Sequence, residues 1–362
     1  VLSLKSPALW ATTHALSCIK HVQIHAVVGS SVDSRYGTRL HKSITVLPPG
    51  PRSDEDVVRA ILALASTVGA EAFIPVWAED VAFVSRCRDA LAPACPVALP
   101  ENGLLEQLQD KYRFYCLAKS LGMSVPDSVA LEPGMGAEDL VEKLGLPLLA
   151  KPRQGCSGKG IVAFSDKEAL SRYLDRADTH ANMLLQKRVQ GADVALTLLA
   201  DAGDVFAVVL RKRWYTRANT SPFYPIHDVE FFHDEWLESL GRDFVKATHF
   251  SGIADFDLKV DFESRSAWFL ESDPRMVGGL PECVEFGVNL PWLLVEKRRG
   301  QLPEGTIVRN QVGHFLSPGS IPSWILSRSW DLPRRGPIRS AWKFYAKDPL
   351  GSIRRHLAPA GF

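Results

Sequence analysis

The stretch "LLAKPRQGCSGKGIVAF", Leu148–Phe164, restricts the fold more than any other part of the chain. Two short apolar runs flank a loop with three glycines, two lysines and an arginine. Loops of this composition hold phosphate through backbone N–H groups. Three familiar templates fail. A P-loop needs Gly-Lys followed by Ser or Thr, and here Gly158-Lys159 is followed by Gly160. A dinucleotide fingerprint needs G-x-G-x-x-G entering a helix, whereas Gly155, Gly158 and Gly160 come in the wrong order and "IVAF" reads as a strand. The protein-kinase loop has the same wrong order. What remains is a glycine-rich flap between two strands, able to lie over a polyphosphate, with Lys151 and Lys159 as point charges. On the loop alone, a flexible hairpin with solvated lysines stands as the alternative.

A second stretch, "FLESDPRMVGG", puts Glu271 and Asp273 at alternate strand positions, so period two sends both carboxylates to one face. Asp257 in "ADFDLKV" joins them if the two strands pair. Three clustered carboxylates repel unless cations neutralise them. Hard oxygens suit Mg²⁺, which commonly takes one or two carboxylates plus substrate phosphates. Arg275 follows closely enough to clamp a transferring phosphoryl group or a carboxylate. The alternative is an acidic strand face turned to water.

The surroundings read as α/β followed by α+β. In the first hundred residues "VQIHAVVG", "SITVLP" and "AFIPVW" read as strands. "SDEDVVRAILALASTVGA" reads as a helix opened by Ser53 and closed by Gly69. That alternation predicts a parallel, doubly wound sheet. "LLEQLQDKYRFYCLAKSLG" reads as one helix ending at Gly122. Further on, "ALTLLAD" and "VFAVVLRKRW" predict a hairpin around Ala202–Gly203, and "SGIADFDLKVDF" and "AWFLESD" predict another antiparallel pair. After Arg299 the text turns Pro- and Arg-rich and reads as irregular.

Composition excludes several classes. A net charge of +1 over 362 residues gives no field for nucleic acid, and no uncharged apolar run is long enough to span a membrane. The N-terminal "VLSLKSPALWATTHALSCIK" has too poor an apolar core for a leader, so a cytoplasmic protein is expected. The six cysteines are scattered without zinc spacing, in keeping with reduced thiols. The tail "RRGPIRSAWKFYAKDPLGSIRRHL" reads as a helix packed on the body, with an anionic partner or membrane surface as the alternative.

Together these motifs resemble the ATP-grasp superfamily, in particular its carbamoyl-phosphate-synthase-like and D-amino-acid-ligase-like members. The resemblance runs to about residue 299, with "SRYGTRLHKSITVLP", "DKYRFYCLAKSLGMSVPDS", the glycine loop, "LLQKRVQGADVALTLLAD" and "FLESDPRMVGGLPECVEFGVNLP" in the family's order. It implies a pre-ATP-grasp α/β domain over 1–100, an ATP-grasp domain over 101–299 with a mobile lid at about 125–187, and a C-terminal extension over 300–362. It implies that Lys111 and Lys151 reach ATP phosphates under a flap formed by Gly155, Ser157, Gly158, Lys159 and Gly160. Gln186 would lie near the adenine amino group, Lys187 and Val189 would form the adenine hinge, and Asp193 would bind the ribose. Asp257, Glu271 and Asp273 would be the metal ligands. Arg275, with Lys151 and with Lys212 or Arg213, would act on the transferring phosphoryl group. The family usually has Asn at the position of Asp273, which leaves the number of metal ions in question. Cofactors would be ATP and Mg²⁺, with Mn²⁺ as an alternative. The implied activity is a carboxylate–amine ligase passing through an acyl phosphate. A bicarbonate-activating enzyme and a non-catalytic nucleotide-binding protein are the competing readings. Partners would be a small-molecule carboxylate and an amine, with no nucleic acid and no membrane insertion, and a homo-oligomer is left open.

Overall fold

The computed structural model describes residues 1–3, 8–29, 39–49, 53–155, 158–176, 182–214, 228–316, 336–340 and 346–349. The N-terminal region contains β1 (Leu2–Ser3), α1 (Ala8–Leu16), β2 (Ile24–Val28), β3 (His41–Val46), α2 (Asp54–Val68), α3 (Ala78–Arg86) and the short α4 (Arg88–Leu91). Strands β1, β2 and β3 pair in parallel in that order. Two single-residue parallel bridges extend the sheet beyond β1, Leu2 with Pro75 and Phe73 with Pro96. Strand order therefore reverses at β1, as in a doubly wound sheet. The expected strand "AFIPVW" is present only as this bridging segment, because Pro75 brings no N–H to a ladder. Helix α2 forms as its caps dictate. The Ser53 hydroxyl accepts from the Asp56 N–H at 3.2 Å, and Gly69 closes the helix with φ of 61°.

The single helix expected over Leu104–Gly122 is two helices, α5 (Asn102–Leu108) and α6 (Lys111–Ser120). Asp110 makes the break. Its Oδ1 accepts from the N–H groups of Tyr112 and Arg113 at 2.9 and 3.1 Å, and the Arg153 guanidinium binds the same carboxylate at 2.7 Å. Asp gains more as a cap than inside a helix. The break also places Lys111 at the head of α6.

Residues 128–187 form a four-stranded antiparallel sheet. Its elements are β4 (Ser128–Ala130), α7 (Ala137–Leu144), β5 (Leu148–Pro152), β6 (Val162–Phe164), α8 (Lys167–Leu174) and β7 (Met183–Lys187), with strand order β4-β7-β5-β6. Both helices pack on it through Leu140, Leu144, Leu148, Leu170 and Leu185. The glycine loop is thus the β5–β6 turn.

The largest sheet uses β8 (Ala192–Asp201), β9 (Asp204–Trp214) and β10 (Asp228–Phe232), then, after α9 (Glu235–Ala247), β11 (Gly252–Asp261) and β12 (Ser266–Asp273). Two short helices follow, α10 (Leu280–Glu285) and α11 (Leu290–Arg298), and then β13 (Val308–Arg309), β14 (Gly313–Leu316) and β15 (Ile338–Ser340). The strand order is β12-β11-β8-β9-β10-β14-β15, with β13 beside β9. The β8–β9 hairpin turns at Ala202 and Gly203, both at positive φ. The irregular extension expected after Arg299 is instead partly sheet. Strands β13 and β14 pair with β9 and β10, satisfying edge groups that would otherwise lie bare.

Period two divides this sheet. One face packs on α9 through Leu196, Leu198, Leu210, Phe244 and Phe256. There Gly241 lets the helix approach closely, since a Cβ would sit 2.6 Å from both Leu196 and Leu198. The other face meets α10 and α11 at its β10 end, and these helices also contact α1. On that same face, across β9, β8, β11 and β12, lie the charged residues.

Candidate active site

Strands β11 and β12 bring the predicted acids together. Asp257 pairs with Glu271 and Asp255 with Asp273 across the ladder. Leu270 is an extra residue in β12, since Asp257 faces Glu271 while Leu258 faces Phe269. The bulge shifts β12 by one residue, so Glu271 and Asp273 share a face with Asp255 and Asp257 while Phe269 points into the opposite core.

Each carboxylate meets its own cation. Arg213 grips Asp257 with two N–H groups at 2.8 and 3.3 Å, and Lys111 Nζ meets Glu271 Oε2 at 2.8 Å. Arg275 meets Asp273 at 2.6 Å, and buried Arg211 holds Asp255 at 2.9 Å while also donating to Thr197. Burial alone would raise the Asp257 carboxyl, but Arg213, Arg211 and Arg275 outweigh it and hold it below its usual range. Asp273 is pushed up to about 7, first by burial and then by Glu271, Asp255 and Asp257, against the pull of Arg275.

This donor set fits a hard divalent cation. The oxygens crowd one face, where burial and then the neighbouring carboxylates push Asp273 up. Among the described residues no three Asp, Glu, His or Cys side chains form a ready coordination group. Two cross-strand carboxylates plus ligand oxygens are a usual Mg²⁺ set, so the fit is to a cation arriving with phosphate.

The lysines connect this face to the flap. Lys111 Nζ also donates to the Gly155 carbonyl at 2.7 Å, so one ammonium bridges the flap base and the acid strand. Lys151 is buried on β5 and donates to Gln186 Oε1 at 2.7 Å, while Gln186 donates to Ser128 Oγ at 3.0 Å. Burial pulls Lys151 down to about 8, with Glu271 opposing and Lys111 adding to the fall. Gly155, Gly158 and Gly160 all have positive φ. A Cβ on Gly160 would meet Pro152 at 2.9 Å, so the return of the flap needs glycine there. Lys159 lies in the turn between Gly158 and Gly160. Ser157 and Cys156 fall outside the described residues, as do Trp342, Phe344 and Tyr345 of the tail.

The segment expected to form the hinge follows β7. The Lys187 N–H donates to the Asp127 carbonyl and the Arg188 N–H to the Pro147 carbonyl, both at 2.9 Å. Val189 follows in the connection to β8, where Asp193 pairs with Lys259 at 2.8 Å. Lys212 is not brought to this face. Alternation turns it to the other side of β9, with its ammonium 5.0 Å from the Phe262 ring centroid, so of the Lys212/Arg213 pair only Arg213 meets the acids. Sequence reasoning missed Asp255, Arg211, Thr197 and Lys259. Asp255 and Lys259 were readable as the same-face neighbours of Asp257. Arg211 and Thr197 depend on the β8–β9 register. A cavity of about 460 Å³ lies elsewhere, between β2, α2 and α11. It is lined by Ile61, Leu64 and Trp292 among others, and it shares no residue with the acid face.

Comparisons with known proteins bear on the sequence and the fold. The family described as "ATP-grasp in the biosynthetic pathway with Ter operon" matches residues 179–315. The C-terminal section of a carbamoyl phosphate synthase large chain from Methanopyrus kandleri is 32% identical over 196 residues, 52% of this chain and 36% of that protein. A D-alanine–D-alanine ligase from Dechloromonas aromatica is 26% identical over 108 residues, 29% of this chain and 36% of that protein. The chain thus spans little more than a third of either relative. Among solved structures, the biotin carboxylase domain of the Hydrogenobacter thermophilus 2-oxoglutarate carboxylase aligns with a TM-score of 0.66 at 19% identity, over 86% of this chain and 72% of that one. An L-amino acid ligase from Bacillus licheniformis aligns with a TM-score of 0.62 at 17% identity, over 86% and 77%. The paired acids, the glycine loop between antiparallel strands and these matches point the same way: the chain has an ATP-grasp fold and is similar in sequence to an ATP-grasp family, to carbamoyl phosphate synthases and to D-alanine–D-alanine ligases.

Proposed function

We propose that the chain is an ATP- and Mg²⁺-dependent ligase that activates a substrate carboxylate as an acyl phosphate and joins it to an amine. The observation that carries this reading is the pair of contacts made by the Lys111 ammonium, a hydrogen bond to the flap at Gly155 and an ion pair with Glu271 on the acid strand. A polyphosphate entering between these two elements would replace both contacts at once. Mg²⁺, held by Asp257 and Glu271 with Asp273 beside them, would supply charge neutralisation for the γ-phosphoryl oxygens.

The chain's own residues do the rest. Lys151 and Lys111 hold phosphate oxygens, and the flap glycines offer N–H groups. Gln186 and the hinge at Lys187–Val189 face the base, and Asp193 faces the ribose once Lys259 yields. A carboxylate oxygen attacks the γ-phosphorus and ADP leaves. The amine nitrogen then attacks the acyl carbon, phosphate departs, and the amine loses a proton. Arg275 and Arg213, each paired with one of the acids, would steady the phosphoryl group. A closed flap keeps water from the acyl phosphate.

The matched ligases and the shared L-amino acid ligase fold support this reading. Bicarbonate as the activated acid is the second reading, supported by the fold shared with a biotin carboxylase domain. ADP and phosphate release should require both an acid and an amine, and Glu271→Gln should abolish it while leaving the melting curve in place. Turnover that depends on bicarbonate alone selects the second reading. Bound ATP with no turnover across a broad acid and amine panel removes both.

A further inference from the structure

We infer that Trp77, supplied by the N-terminal region, is a positioning residue that fixes the plane of the Arg275 guanidinium and so the direction from which the substrate carboxylate arrives. The inference rests on the ligase reading for the identity of that carboxylate. Its geometric content stands apart from the reaction.

Three contacts hold Arg275. Nη2 donates to Asp273 at 2.6 Å, and Nη1 donates to the Met276 carbonyl at 3.2 Å. The guanidinium carbon lies 3.9 Å from the centroid of the Trp77 ring. Hydrogen bonds to two neighbours on the same loop leave the plane free to tilt. A ring whose centre lies this close to the guanidinium carbon limits that freedom and closes that side to ligand. The guanidinium has five N–H donors, so three remain for an incoming anion, and all lie in the plane that Trp77 sets. A carboxylate or acyl phosphate is then met edge-on, as bidentate recognition requires.

Trp77 is itself fixed. Its backbone N–H donates to the buried Asp80 carboxylate at 2.8 Å, and Gln109 donates to the Ala78 carbonyl at 3.1 Å. The Val76 carbonyl accepts from the Met276 N–H at 3.2 Å, and the Val76 N–H donates to Leu2 at 3.1 Å. The backbone that carries the indole is therefore built into the junction between the N-terminal sheet and the Arg275 loop. Near-attack geometry tolerates little misplacement, so a group that sets a guanidinium plane affects rate without touching substrate.

The test labels arginines with phenylglyoxal, maps the adducts by peptide mass spectrometry, and uses the exposed Arg113 as internal reference. Trp77→Leu should raise the labelling rate of Arg275 at least fivefold relative to Arg113. Trp77→Phe, which keeps an aromatic face, should stay within twofold of wild type. With whichever acid supports ADP release, Trp77→Leu should raise KM for that acid about tenfold while KM for ATP stays within twofold. Equal labelling in the Leu and wild-type proteins overturns the inference. So does a Phe variant labelled as fast as Leu, which would make the contact one of bulk rather than ring face. If Trp77→Leu does not fold, the Phe variant and Trp77→His decide in the same assay, where either labelled more than fivefold faster overturns it. Failure of acid-dependent ADP release with the labelling pattern intact removes the ligase reading and leaves the positioning role. The converse removes only the positioning role.

Discussion

Strand β11 shows two kinds of construction on one backbone. Phe256 and Leu258 point into a core with Phe114, Phe244 and Phe269, where the rings meet at centroid distances of 5.1 to 6.3 Å. Asp255, Asp257 and Lys259 point the other way, into ion pairs with Arg211, Arg213 and Asp193. The aromatic face stabilises by removing apolar area from water and by filling volume. The charged face stabilises little, because desolvating ions offsets most of their attraction. Each acid on that face is held by its own cation. Core and chemistry are thus separated by the thickness of one sheet.

The sharpest way to break this comparison is to treat the charged face as if it were core. Asp255→Ala leaves Arg211 buried without its carboxylate and should cost about 3–5 kcal/mol in chemical denaturation. The double change Asp255→Leu with Arg211→Met should recover most of that loss. If the double variant is as unstable as the single, the pair is a structural support and the division of labour fails. Phe256→Ala should cost a similar amount, about 3–5 kcal/mol, through a cavity among the rings. It should leave binding of a non-hydrolysable ATP analogue unchanged below the melting transition.

Smaller effects sharpen the division. Arg213→Met should lower ADP release by about 10²–10³-fold, the scale of losing one preorganised charge in a site. Its neighbour Lys212 faces the other way, and Lys212→Met should stay within about twofold, as for substitutions away from any special contact. Between them lies a pH effect at Lys151, whose ammonium is pulled down to about 8. Phosphate needs the charged form. Analogue affinity should therefore be full below pH 8 and fall by about tenfold per unit as pH rises through it. Folding shows the opposite sign. Between about 8 and 10.5 the unfolded chain keeps a proton that the folded one has lost, so wild-type stability relative to Lys151→Met should rise over that window.

The sequence carried the elements whose signals are local. The glycine order of the flap, the Ser53 and Gly69 caps, and the alternate acids Glu271 and Asp273 each depend on a few adjacent residues. Asp110 was misread because its helix-ending role depends on Arg153, which is remote in sequence. Lys212 and Arg213 could not be separated until β9 had a register against β8. Strands β13 and β14 were hidden in a Pro- and Arg-rich text because their pairing comes from the edges they cover. Trp77 gave no signal at all, since its meaning lies in Arg275, far along the chain.

The extra residue in β12 separates two properties that usually travel together. Deleting Leu270 would leave Phe269 facing Leu258 and Glu271 facing Asp257, so every cross-strand partner would survive in a regular ladder. What would go is the local coiling that a bulge imposes on its strand. A shortened protein of this kind would keep its pairing code and lose its aim. Its behaviour would tell how far the direction of a carboxylate, as distinct from its presence, is written into the length of a single strand.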